Sequence, residues 1–293
     1  MFTGCYVALV TPFKKDGVLD ESGLRKNIKF LLRNKVDGLV PCATTGEAPS
    51  LNEDEYERII SITVEEAKGK VKIVPGAGTN STHKTIALME RAKELGADGC
   101  LVVTPYYNKP GQEGLYAHFR AITEAVDIPV IIYNVPGRTG VNILPKTIRR
   151  LATDCEKIVG VKEASGSLDQ ASEIRRSCGP DFDLLSGDDS LTLPMMAIGA
   201  QGVISVIANI APREITQMVN YYLKGNEDKA RAIHLRLFSL MKLLFIETNP
   251  VPIKKAMEFM KMPAGKPRLP LVEMSKDNAE LLKKELTRLG WIE

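Results

Sequence analysis

The run IVGVKEASG, residues 158–166, opens as a strand and then meets Lys162. Ile158, Val159 and Val161 suit a strand covered on both faces, with Gly160 between them. A lysine at the end of such a run either reaches out to water or is kept dry for chemistry. The other apolar runs bear on which. CYVALVTPF (5–13), GLVPCATTG (38–46), VKIVPGAGT (71–79) and GCLVVTPYY (99–107) precede it, with PVIIYNVPG (129–137). FDLLSGDD (182–189) and GVISVIANI (202–210) follow. Their starts fall about 20 to 35 residues apart, the size of a strand–loop–helix–loop unit.

The segments between these runs have helical period. Leu24, Ile28, Leu31 and Leu32 share one face, as do Leu115, Phe119, Ile122 and Val126. Asn52 and Glu55 have the spacing of a capping box, Ser81 stands at a helix start, Gly96 at an end, and Pro145 at a first helical position. Eight apolar strands alternating with helices imply a parallel sheet covered on both faces, and eight units closing on themselves make a (β/α)8 TIM barrel. An open doubly wound sheet is the rival. No strand carries G-x-G-x-x-G, and PGAGTN (75–80) lacks the third glycine. Beyond about residue 225 the strands stop and three helical patterns follow. The division expected is a barrel over 1–224 and a C-terminal helical extension over 225–293.

The chain has 293 residues, 44% hydrophobic and 26% charged, which fits a soluble globular protein. Thirty-nine basic against thirty-six acidic side chains leave +3, with no basic stripe, so neither nucleic acid nor a membrane surface is an expected partner. Five dispersed cysteines without a C-x-x-C pair argue against a disulfide framework and fit small buried hydrophobes in a reducing compartment. The N-terminal MFTGCYVALVTPFKKDG lacks the basic start and long apolar centre of a signal peptide, so the cytoplasm is expected.

Barrel enzymes carry reactive groups at the C-terminal ends of their strands. Those ends hold Thr44, Thr45, Tyr106, Tyr107, Tyr133, Arg138, Lys162, Asp188 and Asp189, a rim rich in hydroxyls and without histidine. His83, His118 and His234 all fall in helical patterns, and no spaced His/Cys set or G-x-S-x-G elbow exists, so no metal or cofactor is expected. Asp188 and Asp189 could hold a metal, but adjacent carboxylates at a strand end also cap locally. An amine sheltered from water becomes a neutral nucleophile, attacks a carbonyl and forms a Schiff base. Thr45, Tyr107 and Tyr133 could carry protons for it, or simply pack the rim. Arg138 could grip a carboxylate in two parallel hydrogen bonds, or form a surface ion pair. The backbone at TTG (44–46) could hold a second carboxylate.

Eight motifs, TTGE (44–47), GAGTN (76–80), TPYYNKP (104–110), QEGLY (112–116), YNVPGRTG (133–140), GVKEASG (160–166), LLSGDD (184–189) and GVISV (202–206), closely resemble the dihydrodipicolinate synthase family. So do VTPF (10–13), ETNPVPIK (247–254) and RLPL (268–271), collinearly along the chain. The resemblance implies a class I aldolase-type lyase of lysine and diaminopimelate biosynthesis, in which pyruvate condenses with L-aspartate 4-semialdehyde. It implies that Lys162 forms the pyruvate Schiff base, and that Tyr133 shuttles protons between substrate and Thr45. Tyr107 would enter from a neighbouring subunit. Thr44 and Thr45 would hold the pyruvate carboxylate, Arg138 the semialdehyde carboxylate, and Gly187 and Ile204 would line the site through their backbones. A homotetramer built as a dimer of dimers is expected, although dimers occur in the family.

N-acetylneuraminate lyase and keto-sugar-acid aldolases share the lysine and tyrosine. The RTG after YNVPG and the paired threonines favour the synthase. A silent ligand-sensing barrel would lose Lys162 or the hydroxyls, and both are present. Members inhibited by lysine use a pocket that Asn80 and Tyr106 match. Glu53 and Tyr56 replace its usual histidines, and Lys84 stands where a carboxylate receives the inhibitor. The exchange implies weak or absent lysine inhibition.

Overall fold

A computed structural model describes residues 1–67 and 69–293. The eight strands are β1 (Gly4–Ala8), β2 (Gly38–Val40), β3 (Lys72–Ile73), β4 (Cys100–Val103), β5 (Val130–Asn134), β6 (Ile158–Glu163), β7 (Asp183–Ser186) and β8 (Gly202–Ser205). Helices α1 (Glu21–Arg33), α2 (Glu53–Ala67), α3 (Thr82–Glu94) and α4 (Gln112–Ala125) follow the first four strands in turn. After β5 come the single turn α5 (Pro136–Thr139) and α6 (Pro145–Asp154), then α7 (Leu168–Cys178), α8 (Thr192–Ala197) and α9 (Pro212–Leu223). The chain ends in α10 (Glu227–Leu243), α11 (Val251–Phe259) and α12 (Lys276–Arg288).

The strands pair in parallel in the order β3-β2-β1-β8-β7-β6-β5-β4. The two edges of that order meet. Leu101 donates its N–H to the Pro75 carbonyl at 2.9 Å, and Ala77 donates to the Leu101 carbonyl at 3.0 Å, around a parallel bridge from Gly76 to Leu101. The sheet is therefore a closed barrel and not the open alternative. Gly76 is required at the seam, because a Cβ there would stand 2.4 Å from the Cys42 carbonyl oxygen.

The strands are shorter than the apolar runs that announce them. VKIVPGAGT keeps only Lys72–Ile73 as strand; Pro75 lacks one N–H, and beyond it the pairing continues as isolated bonds such as Gly76 N–H to the Pro41 carbonyl at 2.9 Å. β1, β5 and β7 are buried throughout, as a sheet covered on both faces requires. The barrel interior is filled by side chains including Phe2, Tyr6, Val40, Leu101, Ile131 and Ile204, and a larger apolar layer lies outside the strands against the helices.

Local signals hold closely. The Asn52 side chain accepts from the Glu55 N–H at 2.9 Å, while the Glu55 carboxylate accepts from the Asn52 N–H at 3.2 Å. Ser81 caps α3, and Pro145 starts α6. In the C-terminal region α10 packs on α9 and α12 on α11. The chain beyond α11 returns to the first barrel loop, where Phe13 donates its N–H to the Ala264 carbonyl at 3.1 Å. Among the described residues no helix is long and apolar enough to cross a membrane.

Candidate active site

Tyr133 on β5 and Lys162 on β6 are partners in the parallel ladder, so their side chains leave the sheet on the same side, toward the barrel interior. Lys162 is 4% exposed and Tyr133 6%, and the Lys162 Nζ lies 4.1 Å from the Tyr133 ring centroid. Behind them, on the outer face, Asn134 donates to the Glu163 carboxylate at 3.0 Å, as does Gln170. Ser165 adds its N–H at 2.6 Å. This side-chain bridge ties β5 to β6 where the tyrosine and lysine stand. Gly187, just past β7, leaves room for the lysine, since a Cβ there would sit 3.1 Å from the Lys162 Cε and 2.6 Å from the Ala164 Cβ. Ile204 on β8 is 1% exposed and shares the interior cluster with Tyr133.

Across the barrel mouth, Thr44–Gly46 form one 3-10 turn after β2, and Glu47 leaves it in a left-handed conformation at φ 56°. The N–H groups of Thr44 and Thr45 begin the turn and have no acceptor among the described residues. Three residues of the C-terminal region hold this turn. Asn249 donates to the Thr45 Oγ1 at 3.0 Å, and Lys254 meets the Glu47 carboxylate at 2.5 Å with both side chains almost fully buried. The Arg268 N–H donates to the other Glu47 oxygen at 2.8 Å. Burial pulls Lys254 below the ordinary lysine range, and the Glu47 carboxylate opposes that pull.

A cavity of about 400 Å³ opens between the two sides. Thr44, Tyr133 and Arg138 line it, together with Glu53, Tyr56 and Tyr106. Two substrate-binding candidates, Thr44 and Arg138, and three of the five effector-pocket candidates thus share one continuous space. Arg138 is anchored by donating to the Asn249 carbonyl at 3.1 Å. Thr45, by contrast, turns its hydroxyl to Asn249 and lies beneath the cavity wall, 2% exposed. Lys162, Gly187 and Ile204 lie next to Tyr133 on the interior side rather than in the wall itself.

Tyr107 is not gathered into the site of this single chain. It is 88% exposed and has φ 69°, an uncommon left-handed conformation for a tyrosine. Asn80 lies outside the wall, where its carbonyl accepts from the Asn108 side chain at 2.8 Å. Lys84 is exposed and also outside the wall. The charged side chain on that part of the wall is Glu53.

The remaining polar candidates have local duties. Asp188 caps the turn that follows it by accepting from the Ser190 N–H at 2.8 Å. Asp189 is pushed up to about 6 by burial and accepts from the N–H groups of Val206 and Ile207 at 3.0 and 2.9 Å. Burial pushes the thiols of Cys5, Cys42 and Cys100 upward, which leaves them unreactive. His118 lies in α4, pulled down to about 4 by burial. Sequence reasoning gave no role to Asn249, Lys254, Glu47 or Glu163. All four stand inside motifs quoted for the family resemblance, and that was the available signal, because the partners of Asn249, Lys254 and Glu47 are distant in the chain and Glu163 read as part of a strand end.

Residues 1–289 match the family model described as the dihydrodipicolinate synthetase family. A 4-hydroxy-tetrahydrodipicolinate synthase of Pelobacter propionicus is 54% identical over 274 residues, covering 94% of each chain. One of Methanococcus vannielii is 51% identical over 287 residues, covering 98% of each. The crystal structure of dihydrodipicolinate synthase from Aquifex aeolicus superposes with a TM-score of 0.97 at 48% identity, over 99% of both chains. With this coverage, and with a buried lysine and tyrosine paired at the barrel mouth, the chain belongs to the dihydrodipicolinate synthetase family.

Proposed function

We propose that this chain is a Schiff-base lyase, a 4-hydroxy-tetrahydrodipicolinate synthase, which condenses pyruvate with L-aspartate 4-semialdehyde. The observation that carries the reading is the buried Lys162 amine lying against the Tyr133 ring at the barrel mouth. The Nζ adds to the pyruvate carbonyl carbon, the carbonyl oxygen leaves as water after protonation, and an iminium remains. Loss of a methyl proton gives the enamine, whose carbon attacks the aldehyde of the second substrate. The protons move through Tyr133 and Thr45, with Tyr107 from a neighbouring copy completing the relay.

The unpartnered N–H groups of Thr44 and Thr45 support a carboxylate-holding role for pyruvate. Arg138, on the cavity wall and anchored through Asn249, is suited to the carboxylate of the semialdehyde. Gly187 and Ile204 contribute backbone and close packing beside the lysine. The exposure of Tyr107 supports an assembly in which that ring is covered by another chain, here read as a homotetramer built as a dimer of dimers. The dispersed free thiols fit a reducing cytoplasm.

The test is borohydride reduction in the presence of pyruvate, followed by peptide mass spectrometry. A reduced pyruvate adduct on Lys162 is expected, and Lys162→Ala should lose both the adduct and turnover while remaining folded. Turnover in an enzyme that traps no adduct on Lys162 would sink the proposal.

A further inference from the structure

Asn249 occupies the turn between α10 and α11, 4% exposed, and touches the site in two places. Its side-chain Nδ2 donates to the Thr45 Oγ1 at 3.0 Å, and its backbone carbonyl accepts from the Arg138 Nη2 at 3.1 Å. It therefore links the hydroxyl of the TTG turn to the guanidinium on the cavity wall, although these lie 204 and 111 positions away in the chain. Its own Oδ1 is shut away from solvent without a partner.

The direction of the Asn249–Thr45 bond has a chemical consequence. A hydroxyl oxygen that accepts from an amide N–H must turn its own O–H elsewhere. No protein acceptor for the Thr45 proton exists among the described residues. We propose that Asn249 is a positioning residue that orients Thr45 as a proton donor to the relay through Tyr133. It does for Thr45 what the third member of a catalytic triad does for its base. The proposal rests on the Schiff-base reading above.

The two contacts separate by mutation. Asn249→Ala removes the side-chain bond to Thr45 but keeps the carbonyl that anchors Arg138. The expected result is a kcat about tenfold lower or more, with formation of the pyruvate adduct slowed alongside it. The KM for the semialdehyde should stay near its original value. Asn249→Asp is isosteric, but its carboxylate accepts the Thr45 proton and reverses the bond, so near neutral pH it should be slower than Asn249→Ala. As the pH falls the carboxyl is protonated and can donate again, so the activity of Asn249→Asp relative to Asn249→Ala should rise. The charged groups on the packed elements, Arg138 on α5 and the Glu47–Lys254 pair, act on the carboxyl of Asn249→Asp and set the pH at which that ratio changes.

Borohydride trapping on the unmutated enzyme comes first. If it yields no Lys162 adduct, the Schiff-base reading fails. If it yields one and Asn249→Ala turns over at the original rate, the Asn249 proposal alone fails. It also fails if the ratio of the two variants does not change with pH, since that would leave only a packing role.

Discussion

Replacing Lys254 by methionine should cost more stability than its place in a C-terminal helix suggests. Lys254 and Glu47 are 2% and 3% exposed at their side chains and 2.5 Å apart. Methionine preserves much of the apolar stem and its contact with Phe13, whose ring centroid lies 4.3 Å from the ammonium. What disappears is the cation, together with its bond to the Lys266 carbonyl at 3.2 Å. Glu47 is then a buried carboxylate held mainly by the Arg268 N–H at 2.8 Å. Removing one partner of a buried pair costs about 3–5 kcal/mol, mostly for the charge left behind. Against a total of about 5–15 kcal/mol, that is a large share of the stability. The double variant Lys254→Met/Glu47→Gln removes both charges and should recover most of the loss. Urea unfolding of the parent, both single variants and the double, at one protein concentration, supplies the cycle. A Lys254→Met cost below about 1 kcal/mol would refute the reasoning, as would strictly additive single losses.

Gly187→Ala should lower kcat strongly and also lower the unfolding midpoint, because the added carbon would sit 3.1 Å from the Lys162 Cε and 2.6 Å from the Ala164 Cβ, which cannot move without its backbone. Unimpaired turnover would mean that this space is not needed. Arg138→Ala should raise the KM for the semialdehyde and leave formation of the pyruvate adduct largely intact; equal loss of both would contradict the carboxylate assignment. His118, at about 4 in the fold, refuses a proton that the unfolded chain accepts near 6.5, so its contribution is present above 6.5 and lost as the pH falls toward 4. The loss amounts to about 3 kcal/mol, and His118→Asn should flatten the fall in urea midpoint over that window. Asp189 has the opposite sign: raised from 3.8 to about 6, it contributes stability below 3.8 that is lost as the pH rises through 6. Asp189→Asn should therefore gain stability at pH 7 relative to the parent, by up to about 3 kcal/mol, and an unchanged midpoint difference between pH 4 and 7 would contradict this.

What could be read in the sequence was mostly local. The Asn52–Glu55 capping box spans four residues, and both of its bonds are present. Lys162 was legible because an apolar strand ran directly into it, and Tyr133 because it ends the neighbouring run. Strand lengths were not legible. Apolar character persists into the loops as burial, while regular strand gives way to single bonds and bridges, as after Ile73, where Gly76 still donates to the Pro41 carbonyl at 2.9 Å. Nor were the groups that hold the site. Lys254 looks like a solvated helix lysine, and only the fold brings it to Glu47, 207 positions away. Tyr107 marks a further limit, since a role supplied to another copy leaves no trace in the contacts of one chain.

The ties from the C-terminal region converge on one segment. Asn249 reaches Thr45, Lys254 reaches Glu47, and Arg268 reaches both the Ser50 carbonyl, at 2.8 Å, and the Glu55 carboxylate. Thr45, Glu47 and Ser50 lie in the stretch that joins β2 to α2 and forms one wall of the cavity, and Glu55 lies in the first turn of α2. Arg268 and Lys254 also stack over the same Phe13 ring, at 4.0 and 4.3 Å, in the loop after β1. A loop left to itself moves more than a reacting geometry tolerates. Here the loop after β2 is fixed from outside the eight strand–helix units, by side chains that also bury its one carboxylate without a net charge. Precision at the mouth of the barrel therefore depends on the C-terminal region, although that region contributes no reacting group. Loosening α11 should misplace Thr45 and Arg138 together, before it disturbs Tyr133 and Lys162, which the strands themselves align.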